Sequence, residues 1–274
     1  DKYAPDVVAD LNSAVWDAIR VNGKLYGIPL QQIYVRQTGI RFNTELLNKY
    51  GFDPSTVKTL DDLDEYAATI KANEPDAVVI YNYGHLIYEN MVNYLGYDVI
   101  VSNTTPGVVY YAAETPVVFN QFESEEFKAL CEKMREWNLA GYFPTDAVTG
   151  ADSVGENDIR AIDTDPAHKP GGDITEGQLR GYDITGIAFG DCAMTTGAVQ
   201  ATITAVSATS KNVERAVAFI NLLDSDPEVL NLICHGIEGT DYEFVGDKAD
   251  GLIKPISDYP GMLSFLVGNV FNEY

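Results

Sequence analysis

Between Thr59 and Ile80 the chain changes its hydrophobic period, and that change limits the fold more than any other feature. Leu60, Leu63, Tyr66, Ala67 and Ile70 recur at the spacing of one helix face, behind a Thr59/Asp62 pair that makes an imperfect capping box. Past Pro75, Ala77 to Ile80 is an unbroken apolar run, too short for a helix and suited to a buried strand. Such alternation of helix and strand favours an α/β class over an all-α or all-β one.

The rest of the chain keeps the alternation. Glu89 to Leu95 returns to a helical pattern. Ser124 opens a further helix with Glu125 and Glu126 at its positive end, Phe127, Leu130, Cys131, Met134 and Trp137 as its inner stripe, and Gly141 as its stop. From about Val148 to Gly181 the composition turns to Gly, Asp, Pro and Thr, with IRAID as the one strand-like interruption, so loop is expected there. Asp183 to Phe189 and Thr202 to Ser207 read as strands. Asn212 caps a helix whose Val213, Ala216, Val217, Ile220 and Leu223 share a face, and Asp226-Pro227-Glu228 opens another.

Charge and composition remove several function classes. The 274 residues carry a formal net charge of -23, from 41 acidic against 18 basic side chains, with no basic cluster to attract nucleic acid or anionic lipid. No apolar run reaches the ~20 residues needed to cross a bilayer as a helix. The cysteines Cys131, Cys192 and Cys234 form no CxxC pair, and Cys131 and Cys234 read as buried free thiols on apolar helix faces. The histidines His85, His168 and His235 have no metal-ligand spacing, and no metal or other cofactor is implied.

Two blocks carry a family likeness. Gly23-Lys24-Leu25-Tyr26-Gly27-Ile28-Pro29, the Arg41-Phe42-Asn43 strand end, Glu45-Leu46-Leu47, Tyr50-Gly51 and the Thr59-capped helix stand in an order that resembles the extracellular solute-binding proteins of ABC importers, the sugar-binding group that includes maltose-binding protein. Ser210-Lys211-Asn212, Glu214-Arg215-Ala216 and Gly236-Ile237-Glu238-Gly239 are similar to a narrower branch, the LipO or aldouronate-type lipoproteins associated with polysaccharide oligomers. That branch often has Pro after the capping Asn, where this chain has Val213.

The resemblance implies a two-lobed periplasmic-binding-protein-like fold of type II, with lobe one incomplete and the chain truncated at both ends. Residues 1–36 fall to lobe one, 37–186 to lobe two after a hinge near Gln37-Thr38-Gly39, and 187–274 to the return of lobe one and a C-terminal segment. Within that segment 235–274 is too weakly patterned to assign. It further implies a monomeric cell-surface lipoprotein, anchored through a segment upstream of Asp1, that delivers an oligosaccharide to membrane permease subunits and catalyses nothing. The same fold binding a peptide or uronate is the alternative, and a glycoside-active enzyme a more distant one.

A sugar ring has apolar C–H faces and a rim of hydroxyls, so its receptor needs flat aromatic surfaces and planar polar groups that donate and accept in fixed directions. Loops at strand ends supply such groups in this sequence. Gln31, Gln32 and Tyr34 follow Gly27-Ile28-Pro29, and Asn82, Tyr83, His85 and Tyr88 follow Val78 to Ile80, where the maltose-binding relatives carry ligand contacts. Asp163, Asp165 and His168 follow IRAI, and Thr195 and Thr196 lie just after the return to lobe one. Each group has a plainer reading: a surface strand end for the glutamines, packing for tyrosines at helical spacing, and acidic turn residues for Asp163 and Asp165. Trp137 shares its stripe with Met134 and Leu130 and is read as core, and Trp16 stays open between packing and stacking.

Overall fold

The structure is a computed structural model that describes residues 2–81, 94–144 and 158–274. Of the expected site, Asn82, Tyr83, His85 and Tyr88 lie outside the described residues. The chain divides into two compact units, one made of Asp1–Tyr34 and Ala198–Tyr274, the other of Val35–Gly197.

The first unit opens with α1 (Pro5–Asp10), α2 (Ser13–Ala18) and the short strand β1 (Ile28–Pro29). Asn12 starts α2 by accepting from the Ala14 N–H at 2.9 Å. Val7, Leu11, Val15 and Ile19 recur at helical spacing and are buried with Val199.

The second unit runs through β2 (Val35–Arg36), β3 (Gly39–Asn43), α3 (Thr44–Tyr50), α4 (Asp64–Asn73), β4 (Val78–Ile80), β5 (Tyr97–Val99), β6 (Gly107–Tyr110), β7 (Phe119–Asn120), α5 (Glu125–Leu139), β8 (Arg160–Asp165), α6 (Gly172–Arg180), β9 (Ile184–Ala188), β10 (Ala193–Met194) and α7 (Thr196–Val199), which ends just past the boundary between the units. Its main sheet has the order β4-β8-β3-β9, with β4 parallel to β8 and β3 antiparallel to both its neighbours. The expected stripe of Leu60, Leu63, Tyr66, Ala67 and Ile70 is buried against this sheet, together with Leu130 and Trp137 of α5. A β-meander of β5, β6 and β7 packs its own small core of Tyr97 and Val108.

The first unit resumes with β11 (Ile203–Thr204), which pairs antiparallel with β1, then α8 (Val213–Ser225), α9 (Pro227–His235), the β12 (Tyr242–Phe244) and β13 (Ile253–Pro255) pair, and α10 (Ser264–Val267). Asp226 caps α9 by accepting from the N–H groups of Glu228 and Val229 at 2.9 and 3.2 Å. Residues 235–274, unassigned from sequence, hold the β12–β13 pair and fold back on α9, where Asn231 donates to the Asn272 carbonyl at 2.8 Å.

Several expectations change. Leu60–Leu63 is a 3-10 turn and the α-helix begins at Asp64, although Asp62 does accept from the Thr59 N–H and hydroxyl at 2.8 and 3.0 Å. Cys131 is exposed, because it sits at the edge of the α5 stripe rather than in it, while Cys234 is buried. Asn212 occupies the capping position of α8 without a side-chain cap bond. The strand expected over 202–207 is confined to Ile203–Thr204. Inside the expected loop between 148 and 181, Gly172–Arg180 is helical, closed by Gly181 in the left-handed region at φ 74°.

Candidate functional site

In the first unit, β1 leads into Gln31, Gln32 and Tyr34. The Gln31 carbonyl accepts from the Val270 N–H at 3.0 Å, which ties this segment to the C-terminal part of the same unit. The side-chain Oε1 of Gln31 and Nε2 of Gln32 are buried and have no hydrogen-bond partner among the described residues. Buried amides with unspent capacity are uncommon in folded chains and mark places where a further polar group fits. The Tyr34 hydroxyl donates to the Leu30 carbonyl. Burial, followed by the Asp224 carboxylate, pushes its phenol well above the usual range, so it stays protonated.

The second unit holds Asp163, Asp165 and His168. Asp163 and Asp165 are strand residues of β8, not loop residues, and they are 5% and 3% exposed. Asp163 Oδ2 lies 2.6 Å from Arg180 Nη2 and 3.5 Å from Arg160 Nη1. Asp165 Oδ1 lies 3.0 Å from Arg41 Nη2, and its Oδ2 lies 3.4 Å from His168 Nδ1. Glu176 of α6 completes the array by accepting from Arg180 Nε at 2.8 Å. Placing charges in a sheet is tolerable only when each is paired, and this is how α6 is fixed to β8 despite its poor helix-forming sequence. The Arg160 guanidinium also sits 3.7 Å from the centre of the Tyr81 ring, at the end of β4.

The His168 ring packs across β3 and β9. A Cβ on Gly39 would fall 2.8 Å from His168 Cβ, and one on Gly186 3.1 Å from His168 Cε1. Glycine at both positions makes the imidazole's seat.

Thr195 is buried and Thr196 half-buried, and both belong to the second unit, as do residues 187–197 in general. β10 pairs with β2, and the Gln37 side chain donates to the Gly190 carbonyl at 2.6 Å. Thr196 is held by Asp98 at the meander: its N–H lies 3.1 Å from both carboxylate oxygens and its hydroxyl donates to Oδ2 at 2.8 Å. Asp98 carried no signal in the sequence, since its partner stands 98 positions away. Arg180, the partner of Asp163, had only the local signal of Glu176 four residues before it.

No family model matches the chain. It is 28% identical over 264 residues to a carbohydrate ABC transporter substrate-binding protein of Streptococcus pneumoniae, a match covering 95% of this chain and 52% of that protein. The solved N-glycan transport solute-binding protein NgtS of Streptococcus pneumoniae superposes with a TM-score of 0.84 at 26% identity, covering 100% of this chain and 60% of that one. The chain is similar to the carbohydrate substrate-binding proteins of ABC transporters. A second structure of NgtS, in complex with Man1GlcNAc, superposes with a TM-score of 0.77 at 26% identity, covering 100% of this chain and 61% of that one. The chain thus shares the α/β fold of these substrate-binding proteins and spans about half the length of the curated relative.

Proposed function

We propose that the chain captures a neutral carbohydrate oligomer, without turning it over, for delivery to the membrane subunits of an ABC importer. The observation that carries this reading is the match to NgtS over the entire chain, a protein whose solved complex holds Man1GlcNAc. Gln31, Gln32 and Tyr34 from the first unit, Asn82, Tyr83, His85 and Tyr88, and His168, Thr195 and Thr196 from the second are the ligand contacts of this proposal. Asp163 and Asp165 serve it from behind, by holding Arg160, Arg180 and Arg41 in place.

Two features support a neutral ligand and no chemistry. Arg41 and Arg160, among the cations that could recognise a uronate, have Nη groups engaged by Asp165 and Asp163, which offsets their charge, although the Nε of each is buried with no hydrogen-bond partner among the described residues. The same pairing leaves these carboxylates neutralised by arginine, which suits neither half of an acid–base pair acting on a glycosidic bond. The proposal places the protein outside the cell, lipid-anchored and monomeric.

Thermal shift and calorimetry against a panel of mannose–N-acetylglucosamine, malto-, xylo- and fructo-oligosaccharides, uronate oligomers and peptides test the reading. A neutral oligosaccharide that binds near micromolar, corresponding to about 8 kcal/mol, and is recovered intact is the expected result. Binding of peptides alone, or cleavage of a bound glycan, overturns it.

A further inference from the structure

A threonine hydroxyl has one proton to give and two lone pairs with which to accept. At Thr196 the proton is spent: the partner at 2.8 Å is a carboxylate oxygen of Asp98, which can only accept. The backbone N–H of Thr196 is spent on the same carboxylate, at 3.1 Å from each oxygen. What remains on this half-buried side chain is the lone-pair side of Oγ1, with a negative charge fixed behind it. A charge-assisted bond of this kind is short and directional, so the hydroxyl does not turn round to suit an incoming acceptor.

We propose that Asp98 is a positioning residue that makes Thr196 an acceptor-only contact, so that the ligand group meeting it is a neutral donor, a sugar hydroxyl or an acetamido N–H. The inference rests on the carbohydrate-capture reading and narrows it. A uronate carboxylate or a ring ether brings only acceptors, and the uronate adds its own charge to that of Asp98. Such groups meet lone pair against lone pair at this position and are rejected. The same directionality holds within the first unit, where the Tyr34 proton is committed to the Leu30 carbonyl.

The test uses the tightest-binding neutral oligosaccharide of the panel above, together with analogues in which single hydroxyls are replaced by hydrogen or by fluorine. Fluorine keeps a weak acceptor and removes the donor. The expected result is one hydroxyl at which both replacements weaken binding by about tenfold, the scale of one lost hydrogen bond. In Thr196→Val that position becomes insensitive to either replacement. In Asp98→Asn, whose amide can donate to Oγ1 and free the hydroxyl proton, the fluorinated analogue regains affinity while the deoxy analogue does not.

A fluorinated analogue that binds wild type like the parent at the Thr196-coupled position overturns the inference, as does the lack of any position coupled to Thr196. A uronate oligomer that binds tighter than every neutral glycan overturns it too, while leaving carbohydrate capture standing. A wild-type protein that binds no glycan of the panel overturns the capture reading itself, and this inference with it. Melting temperatures of both variants accompany the titrations. Should Thr196→Val fail to fold, the Asp98→Asn comparison decides alone.

Discussion

Arg180 reaches from the last turn of α6 to place its Nη2 2.6 Å from Asp163 Oδ2, inside β8, with both side chains less than a tenth exposed. A pair this deeply set costs much to break and little to replace whole, because removing one partner leaves the other buried and uncompensated. Asp163→Ala is therefore expected to destabilise the second unit by about 3–5 kcal/mol in urea unfolding, and Arg180→Met by a similar amount. The double variant is expected to recover part of the loss. A freely exposed ligand contact at Asp163 would behave otherwise, losing glycan affinity with stability within about 0.5 kcal/mol of wild type.

Asp224 gives the opposite case, a buried carboxylate with no cation paired to it among the described residues. It is 3% exposed and its Oδ2 has no hydrogen-bond partner among the described residues. Burial first, then repulsion from Asp10 and Asp6, raises its pKa from the ordinary 3.8 to about 6. A folded-state pKa above the unfolded one means that folding favours the protonated form. This group's stabilising contribution is full below about pH 4 and is lost as pH rises through about 6. Asp224→Asn, neutral at every pH, is expected to be more stable than wild type by about 1–3 kcal/mol at pH 7.5, with the gap closing toward pH 4. Urea unfolding at a series of pH values reads this, and a gap that does not change with pH would sink it.

Trp137 is one of only two tryptophans, and it is 2% exposed, with its indole N–H donating to Asp64 Oδ1 at 2.7 Å. Asp64 also accepts from Lys133 at 2.8 Å, so α5 is fastened to the start of α4 by a packed ring and by charge. Trp137→Phe keeps most of the packing and drops the hydrogen bond, for an expected loss of about 1–2 kcal/mol. Trp137→Ala adds a cavity and is expected to cost about 3–5 kcal/mol. Trp16 is then the remaining reporter in Trp137→Phe, and its fluorescence is expected to be partly quenched by acrylamide in the folded state.

What the sequence made legible follows the range over which its signals act. The stripe Leu60, Leu63, Tyr66, Ala67, Ile70 and the Ser124 cap are local patterns, and both hold in the fold, with Ser124 accepting from the Phe127 N–H at 3.1 Å. α6 was illegible because its own residues, including Gly172 and Gly177, favour no helix, and its stability comes from Arg180 and Glu176 meeting β8 and β3. Asp163 and Asp165 resembled turn residues for the same reason: Arg180 and Arg41, which pair with them inside the sheet, stand elsewhere in the chain. Thr196 could be picked out as a polar residue at a strand end, but the direction of its hydroxyl depends on Asp98, which only the folded chain brings near.

Gly39 is where β3 opens, and its missing side chain is a steric requirement rather than a matter of backbone freedom. A Cβ added there would lie 2.8 Å from His168 Cβ and 2.9 Å from the Ile187 carbonyl oxygen, both attached closely to backbone and unable to swing aside. His168 is itself fixed, since its N–H donates to the Gln37 carbonyl at 2.8 Å and its ring faces Asp165. Gly39→Ala should force β3 and β9 apart and displace the imidazole, costing about 1–3 kcal/mol as an overpacked site. The companion change His168→Ala does not relieve the contact with residue 168, because the nearest atom is the Cβ that alanine retains, whereas His168→Gly removes it and leaves only the approach to the Ile187 carbonyl. Thermal unfolding of Gly39→Ala in the two backgrounds checks this, with rescue expected only by glycine at 168. Equal destabilisation in both would place the strain at the Ile187 carbonyl instead.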